Sequence, residues 1–308
     1  MAILVVGSVA YDSVETAHGK VDRALGGSAT FFSMTSSLWT PTHVVAVVGE
    51  DFRPADIERM VARGVDVSGI DRVPGETFRW GGVYSQHFET RTTLFTELNV
   101  FAGFKPVIPS AQRGADFVFL ANIHPALQLS VLDQVAAPRF VAMDTMNFWI
   151  SGEREALLAV LKRVDALFLN DEEAFALSGT GNIMQAAAVI RTMGPQTLVI
   201  KRGEHGAVLI HDGVAEILPA MMLDKVIDPT GAGDTFAGGF MGFLAIQPSV
   251  THAALRGAMV AGTVAASCAV EAFSVDGVES MQLAELEKRA ARLRAGILTP
   301  ASGWQARG

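Results

Sequence analysis

Two aspartates frame a glycine-rich stretch, Asp228-Pro229-Thr230-Gly231-Ala232-Gly233-Asp234-Thr235-Phe236, in this chain of 308 residues. Large apolar residues follow it at Phe236, Phe240, Phe243 and Leu244, a helical spacing. The segment before it, from Ile217 and Leu218 through Met221–Leu223 to Val226 and Ile227, is apolar and extended in character. A turn between the two aims the N–H groups of Gly231, Ala232 and Gly233 outward at a helix N-terminus. Those donors have no partner inside the helix, and the helix dipole adds positive potential, so the turn suits an anion. Glycine lets the anion approach and permits the backbone angles such a turn needs. A carboxylate beside the cradle can take a proton from an attacking hydroxyl while the cradle holds the charge that develops. Asp234 is the candidate for that base. Helix capping is the simpler account of a lone aspartate, but two carboxylates around one cradle are harder to explain as caps. The GxxxxGK[ST] phosphate loop occurs nowhere in the chain, so this is a phosphate site of another design.

Other short elements follow the same logic. Asp12 comes just after the apolar Ile3–Val6, and a carboxylate there can accept two hydrogen bonds from neighbouring hydroxyls. Gly26 and Gly27 allow a ligand close to the backbone. Asn170 and Glu173 follow another apolar run, spaced as a capping box. Lys201, Gly203 and Gly206 lie between two further runs, where a plain hairpin would also account for the glycines.

Taken in order, these elements resemble the ribokinase-like, PfkB-type kinases of sugars and nucleosides along nearly the whole chain. Val5-Val6-Gly7-Ser8-Val9-Ala10-Tyr11-Asp12 is similar to the family's first strand and substrate aspartate, and Leu25-Gly26-Gly27-Ser28-Ala29 to its paired glycines. Val48-Gly49-Glu50-Asp51-Phe52 resembles the segment after them. Asn170-Asp171-Glu172-Glu173 resembles the N-x-x-E element, Lys201 to Gly206 the glycine turn near the nucleotide, and Asp228 to Gly239 the C-terminal signature.

The resemblance implies ATP as phosphoryl donor and a sugar or nucleoside as acceptor. It implies Asp234 as base, with Gly231, Ala232 and Gly233 holding the transferring group. It places Asp12, Gly26 and Gly27 around the acceptor, and Asn170, Glu173, Lys201, Gly203 and Gly206 around the nucleotide. Asn99, Asn122 and Asp144, polar residues near strand ends or the lid return, and Phe31 are further candidates at the acceptor. Glu173 then serves Mg²⁺ through water, and Asp228 with Thr230 a monovalent cation, typically potassium. Two departures matter. Pro229 replaces a residue that is often threonine, which stiffens the turn and removes a donor. Phe31 and Phe32 stand where many members carry an asparagine that contacts the sugar, so they either stack on a base or turn into the core.

These residues need a frame. Ile3–Val6, Val44–Val48, Phe117–Leu120, Phe140–Met143, Ala166–Leu169, Leu198–Ile200 and Ala207–Ile210 are continuous apolar runs suited to strands covered on both faces. Ala55–Arg63, Ala126–Val135, Arg154–Lys162, Glu172–Leu177 and Ile183–Met193 have helix-forming composition. The alternation predicts a doubly wound α/β fold with a mainly parallel sheet and ligands at the strands' carboxyl ends. We expect one such domain over 1–308. Aromatic and β-branched residues in Thr77–Phe104 predict antiparallel strands. With Ser13–Leu25 they would form a small β-sheet that in the family is a lid, and that often makes dimer contacts. Gly238, Gly239 and Gly242 are costly inside a helix and predict close packing there. The tail reads as a helix after Glu279 with a loose end from Thr299 to Gly308.

Composition narrows the alternatives. Half the residues are hydrophobic, which excludes disorder for most of the chain, and a net charge of −8 without a basic run argues against nucleic acid. The single cysteine, Cys268, forbids an internal disulfide and fits a reducing cytoplasm. The start of the chain reads as a core strand, not a signal peptide, and no apolar run reaches membrane-spanning length. A ligand sensor without turnover is disfavoured by the intact Gly231–Asp234 element. A dinucleotide oxidoreductase is disfavoured because no G-x-G-x-x-G follows the first strand.

Overall fold

The computed structural model describes residues 1–297, and the expected loose end from Thr299 lies outside them. The strands in chain order are β1 (Ile3–Val6), β2 (Ala10–Thr16), β3 (Gly19–Gly26), β4 (Thr42–Gly49), β5 (Val65–Val73), β6 (Arg79–Tyr84) and β7 (Arg91–Glu97). They continue as β8 (Phe117–Leu120), β9 (Phe140–Asp144), β10 (Ala166–Asn170), β11 (Thr197–Lys201), β12 (Ala207–His211) and β13 (Val214–Leu218). A nine-stranded sheet has the order β13-β12-β11-β10-β9-β8-β1-β4-β5. It is parallel from β5 to β11, with β12 and β13 antiparallel at one edge. Every residue of β1 and β8 is fully buried, as a strand covered on both faces requires. The chain leaves β1 toward β4 on one side and returns to β8 on the other, so the sheet is doubly wound as expected, with its switch point at β1.

The second sheet has the order β3-β2-β6-β7 and matches the small sheet expected from 13–25 and 77–104. It is mixed: β2 pairs parallel with β6, and the two outer pairs are antiparallel. Residues Asn99–Gly103 lie outside it as a short 3-10 helix.

The Ala232–Ala245 helix is buried against two others, Ser28–Ser36 and His252–Ala269. Its glycines make this possible. A Cβ at Gly238 would collide with the Phe32 carbonyl, one at Gly239 would stand 2.9 Å from the Ala261 carbonyl oxygen, and one at Gly242 would stand 2.8 Å from the Trp39 ring. Mid-helix glycine therefore gains in packing what it costs in propensity.

One expectation needs correction. The extended character read from Ile217 to Ile227 holds only as far as Leu218, where β13 ends, and 219–227 is irregular. Pro219 has no N–H for a ladder, and Met222 is 84 % exposed, so its apolar side chain does not mark a core strand. Among the described residues no helix is long and apolar enough to cross a membrane.

Candidate active site

The carboxyl ends of adjacent strands place the first group of side chains. Asp144 ends β9, Asn170 ends β10 and Lys201 ends β11, with Asn170 and Lys201 paired in register. Lys201 Nζ lies 2.7 Å from Asp144 Oδ2. Asn170 caps the Asp171–Ser178 helix in a full capping box: its Oδ1 accepts the Glu173 N–H at 2.7 Å, and Glu173 Oε2 accepts the Asn170 N–H at 2.7 Å. Burial, reinforced by the Asp144 charge, pushes the Glu173 carboxyl above its usual range, against the opposing pull of Lys201. Burial also works against the Lys201 charge. Asp144 and Glu173 outweigh it and hold the ammonium above its ordinary pKa.

The glycine-rich turn faces this group. Gly231 adopts left-handed backbone (φ 75°) at the N-cap of the Ala232–Ala245 helix, so Ala232, Gly233 and Asp234 form its first turn. A Cβ on Gly231 would stand 2.5 Å from the Phe31 ring, and one on Gly233 would stand 3.1 Å from Lys201 Nζ. The ammonium therefore lies beside the first turn of this helix, where the Ala232 N–H donates to the Pro229 carbonyl at 3.2 Å and glycine at 233 keeps the approach open. Asp234 is half-buried but closely surrounded. Burial, then the Asp144 charge, pushes its carboxyl up to about 7, while Lys201 pulls the other way.

Asp12 approaches from the opposite side. It accepts the Gly27 N–H, and Gly26 lies so close to its Oδ2 that no side chain would fit there. Burial raises Asp12 to about 7, and the charges of Asp228 and Asp234 add to the effect. Gly27 itself has φ 94°, and a Cβ on it would stand 2.5 Å from the Ser8 carbonyl oxygen. The paired glycines are thus fixed differently, Gly26 by the Asp12 side chain and Gly27 by the Ser8–Ala10 backbone.

Asp228 braces the turn. Its Oδ1 accepts the Thr230 N–H at 2.8 Å and its Oδ2 the Ser274 N–H at 3.3 Å. Thr230 Oγ1 donates to the Tyr84 hydroxyl at 3.1 Å, and Thr16 Oγ1 donates to the Ile227 carbonyl at 2.9 Å. Two strands of the small sheet are therefore tied to the loop that carries the cradle. Sequence reasoning named neither Ser274 nor Tyr84 as partners of this turn. They meet it from 46 and 146 residues away along the chain, a distance no local pattern reports.

The structure redistributes several expected residues. Phe31, expected at the acceptor, is 1 % exposed and packs beneath Gly231, while Phe32 stacks on Phe119 at 4.2 Å. Both phenylalanines turn into the core, because the Ser28–Ser36 helix packs against both the sheet and the Ala232–Ala245 helix. Asp144, expected at the acceptor, is the partner of Lys201. Asn122 spends its amide on its neighbours: Oδ1 accepts the Trp149 indole N–H at 2.8 Å, and Nδ2 donates to Met146 Sδ. Asn99 donates to the Thr77 carbonyl at 3.0 Å and lines a separate hollow with Val47, Asp71 and Phe104. Gly203 opens the 3-10 turn between β11 and β12 with no neighbour near its missing Cβ. Gly206 is held by backbone, since a Cβ there would collide with the Leu218 carbonyl. Thr235, next to Asp234, is fully buried and its hydroxyl has no partner among the described residues.

A glycine-rich helix N-terminus, an ammonium, the half-buried Asp234 carboxyl and a second carboxylate together suit transfer of an anionic group to a hydroxyl. Comparison with known proteins agrees. The chain is 29 % identical to a cytidine kinase of Thermococcus kodakarensis, covering 78 % of this chain and 87 % of that one. It is 30 % identical to a 2-dehydro-3-deoxygluconokinase of Thermoproteus tenax, covering 70 % and 71 %. Its fold superposes with a TM-score of 0.71, at 19 % identity and over 94 % of this chain and 100 % of the other, on an aminoimidazole riboside kinase of Salmonella enterica solved with aminoimidazole riboside and an ATP analog. Residues 2–276 match the pfkB family of carbohydrate kinases, and the chain belongs to that family, whose members phosphorylate sugars or nucleosides.

Proposed function

We propose that this protein transfers the γ-phosphoryl group of ATP to a hydroxyl of a small sugar or sugar derivative, with Asp234 as the general base. One observation carries the reading: Asp234 stands in the first turn of a helix whose glycine-rich N-terminus lies beside Lys201, with Asp12 close enough to raise its own pKa against Asp234. Asp12 orients the acceptor by accepting from its hydroxyls. Asp234 takes the proton of the attacking hydroxyl, and the N–H groups of Gly231, Ala232 and Gly233 receive the charge that builds on the transferring group.

The residues fit ATP and Mg²⁺ as the donor pair. The missing Cβ at Gly233 keeps the first turn of the helix open beside the Lys201 ammonium, which suits a phosphate next to a cation. Bound MgATP supplies the phosphoryl group and neutralises part of its charge. Among the described residues no three His, Cys, Asp or Glu side chains converge as a metal cluster. This is compatible with Mg²⁺ held chiefly by phosphate and water, with Glu173 behind the water. Asp228 and Thr230 are the residues we propose beside a potassium ion, and the small sheet is the lid over the acceptor.

A nucleoside acceptor is the second reading, and the similarity to a cytidine kinase favours it. Against it, Phe31 and Phe32 form no slot for a base, since both lie in the core. The deciding experiment is ADP release from MgATP, with potassium present, against a panel of sugars and nucleosides. Acceptor-dependent release supports the kinase, and the acceptor that works names the class. Asp12→Ala should raise the acceptor KM at least tenfold, the order of one lost charged hydrogen bond, and leave the KM for ATP unchanged. A protein that binds no ATP would overturn the proposal.

The raised carboxyls also fix a pH dependence. Asp234 must be ionised to act, so acceptor-dependent kcat/KM should rise from pH 5 to pH 8 with a midpoint near 7. Asp12 and Asp234 interact, so that midpoint belongs to the pair. Stability runs the other way. Both groups bind protons more tightly in the folded protein than in the unfolded chain, so their contribution is greatest below about pH 4 and is lost as pH rises to about 7. Thermal unfolding of the ligand-free protein at pH 5.5 and 7.5 tests this. Asp234→Asn should remove part of the difference, and an unchanged difference would contradict the assignment.

A further inference from the structure

The small sheet carries a cation that the reaction above leaves unused. Arg91 opens β7 and stands opposite Tyr84 in the β6–β7 register, so the two side chains leave the same face of the sheet. Tyr84 receives the Thr230 hydroxyl, which identifies that face as the one turned to the Asp228–Asp234 turn. The Arg91 guanidinium lies over the Trp80 ring, 5.3 Å from its centroid, and is near enough to the Tyr84 hydroxyl to act on its ionisation. Trp80 in turn pairs with Asp12 across β2 and β6. The cation is thereby carried back along the sheet toward the carboxylate proposed to hold the acceptor.

Arg91 is exposed, and among the described residues it has no carboxylate partner, whereas Arg79 on the next strand is paired with Glu97. Stacking on an indole holds the guanidinium plane without consuming its N–H donors. The charged groups nearest on the turn and on β2 are the carboxylates Asp12, Asp228 and Asp234, with Lys201 beside Asp234 on the phosphoryl side, so Arg91 is the cation at the small-sheet end of this region.

We infer that the acceptor carries an oxyanion, a carboxylate or a phosphate, which Arg91 receives while the hydroxyl end of the same molecule lies at Asp12. The inference rests on the kinase reading above and narrows its substrate to acidic sugars. A planar guanidinium with free donors binds either oxyanion bidentately. Arg91 and Asp12 stand on β7 and β2, two strand spacings of roughly 5 Å each apart across β6, and the Arg91 side chain reaches back along the sheet to within 5.3 Å of the Trp80 ring centre, on the strand next to Asp12. A neutral sugar or nucleoside leaves the cation idle.

The test compares matched acceptors in the ADP-release assay: gluconate and 2-ketogluconate against glucose, ribose 5-phosphate against ribose, and cytidine and adenosine alongside. We expect at least one acidic acceptor to show a KM tenfold or more below its neutral counterpart. Arg91→Gln should raise that KM by about tenfold to a hundredfold, the range of a lost charge-assisted hydrogen bond, with the KM for MgATP unchanged, and Arg91→Lys should recover part of it. Success with the carboxylic acids or with the phosphate ester tells which oxyanion is received. Equal or better use of a neutral acceptor, or an acid KM indifferent to Arg91→Gln, overturns the inference and leaves the kinase standing. If no acceptor of any class releases ADP, the kinase reading falls and this inference with it. Binding of the same acids without ATP, followed by tryptophan fluorescence, gives a second readout that must also weaken in Arg91→Gln.

Discussion

Asp234→Asn should lower kcat by about 10²- to 10⁴-fold, the usual contribution of a positioned base, while MgATP still binds. Asparagine keeps the size of the side chain and can still accept a hydrogen bond at the start of the Ala232–Ala245 helix, so the fold has no reason to suffer. Stability above pH 7 should even rise, because the substitution removes a carboxylate that burial and the Asp144 charge both disfavour. The two readings of this residue separate here. If Asp234 were only a helix cap, its replacement would cost some stability and leave turnover alone. ADP release measures one outcome and thermal unfolding the other. Near-full activity in the variant would remove Asp234 from the mechanism.

Lys201→Met should be nearly as damaging, for a different reason. The ammonium is 2.7 Å from Asp144 and lies beside Gly233, so it is the fixed positive charge nearest to where the transferring group must lie. Losing it should lower kcat by about 10²- to 10³-fold, as for other preorganised charge stabilisers, and should also raise the KM for ATP. The variant leaves Asp144, Glu173 and Asp234 without their cation. At pH 8 that should destabilise the protein by about 3 kcal/mol, the scale for breaking a buried pair. As pH falls to 6 the orphaned carboxyls take up protons and much of the loss should return. The acid limb of the pH–rate profile should move upward as well, since Lys201 is the group that pulls the Asp234 pKa down. Denaturant unfolding at the two pH values and a pH–rate profile check these points. A variant with the parent's KM for ATP and the parent's pH profile would show that the ammonium serves only Asp144.

Much of the frame was legible because its cause is local. Ile3–Val6, Phe117–Leu120 and Ala166–Leu169 are strands covered on both faces, and that condition writes itself as unbroken apolar runs. The edge strand β5 was not read, and of β13 only its end at Ile217 and Leu218 was read as extended. Val65–Val73 mixes charges with a glycine and Val214–Leu218 is largely exposed, so neither has a run to find. Ser28–Ser36 escaped for another reason. Its serines, threonines and phenylalanines are middling helix formers, and several of its hydroxyls bond back to the preceding turn, as Thr35 does to the Phe31 carbonyl at 2.8 Å. Burial on all sides makes it a helix, and burial is not visible in nine residues.

The site divides in the same way. Asp12, Asn170, Lys201 and the Gly231–Asp234 turn could be singled out because each sits within a short element whose order along the chain has meaning. The pairing of Asp144 with Lys201 was not foreseen. Which strand end it meets depends on β10 and β11 lying next to β9, and nothing near residue 144 encodes that. Arg91 and Trp80 were seen only as part of an aromatic strand region, since their stacking depends on the β6–β7 register.

Beneath the cradle, the Phe31 ring fills the space against Gly231, and the helix that carries Phe31 begins directly after the paired glycines that hold Asp12. The two halves of the chemistry are thus built on one rigid strut. Change at its acceptor end is transmitted to its phosphoryl end, so a lineage altering its preferred acceptor there would damage turnover along the way. The outer strands β6 and β7 bear no such double duty. Substitutions that redirect this protein to a new acceptor should therefore accumulate around Trp80, Tyr84 and Arg91, and a library confined to those positions should yield active variants far more often than one spread over residues 26 to 31.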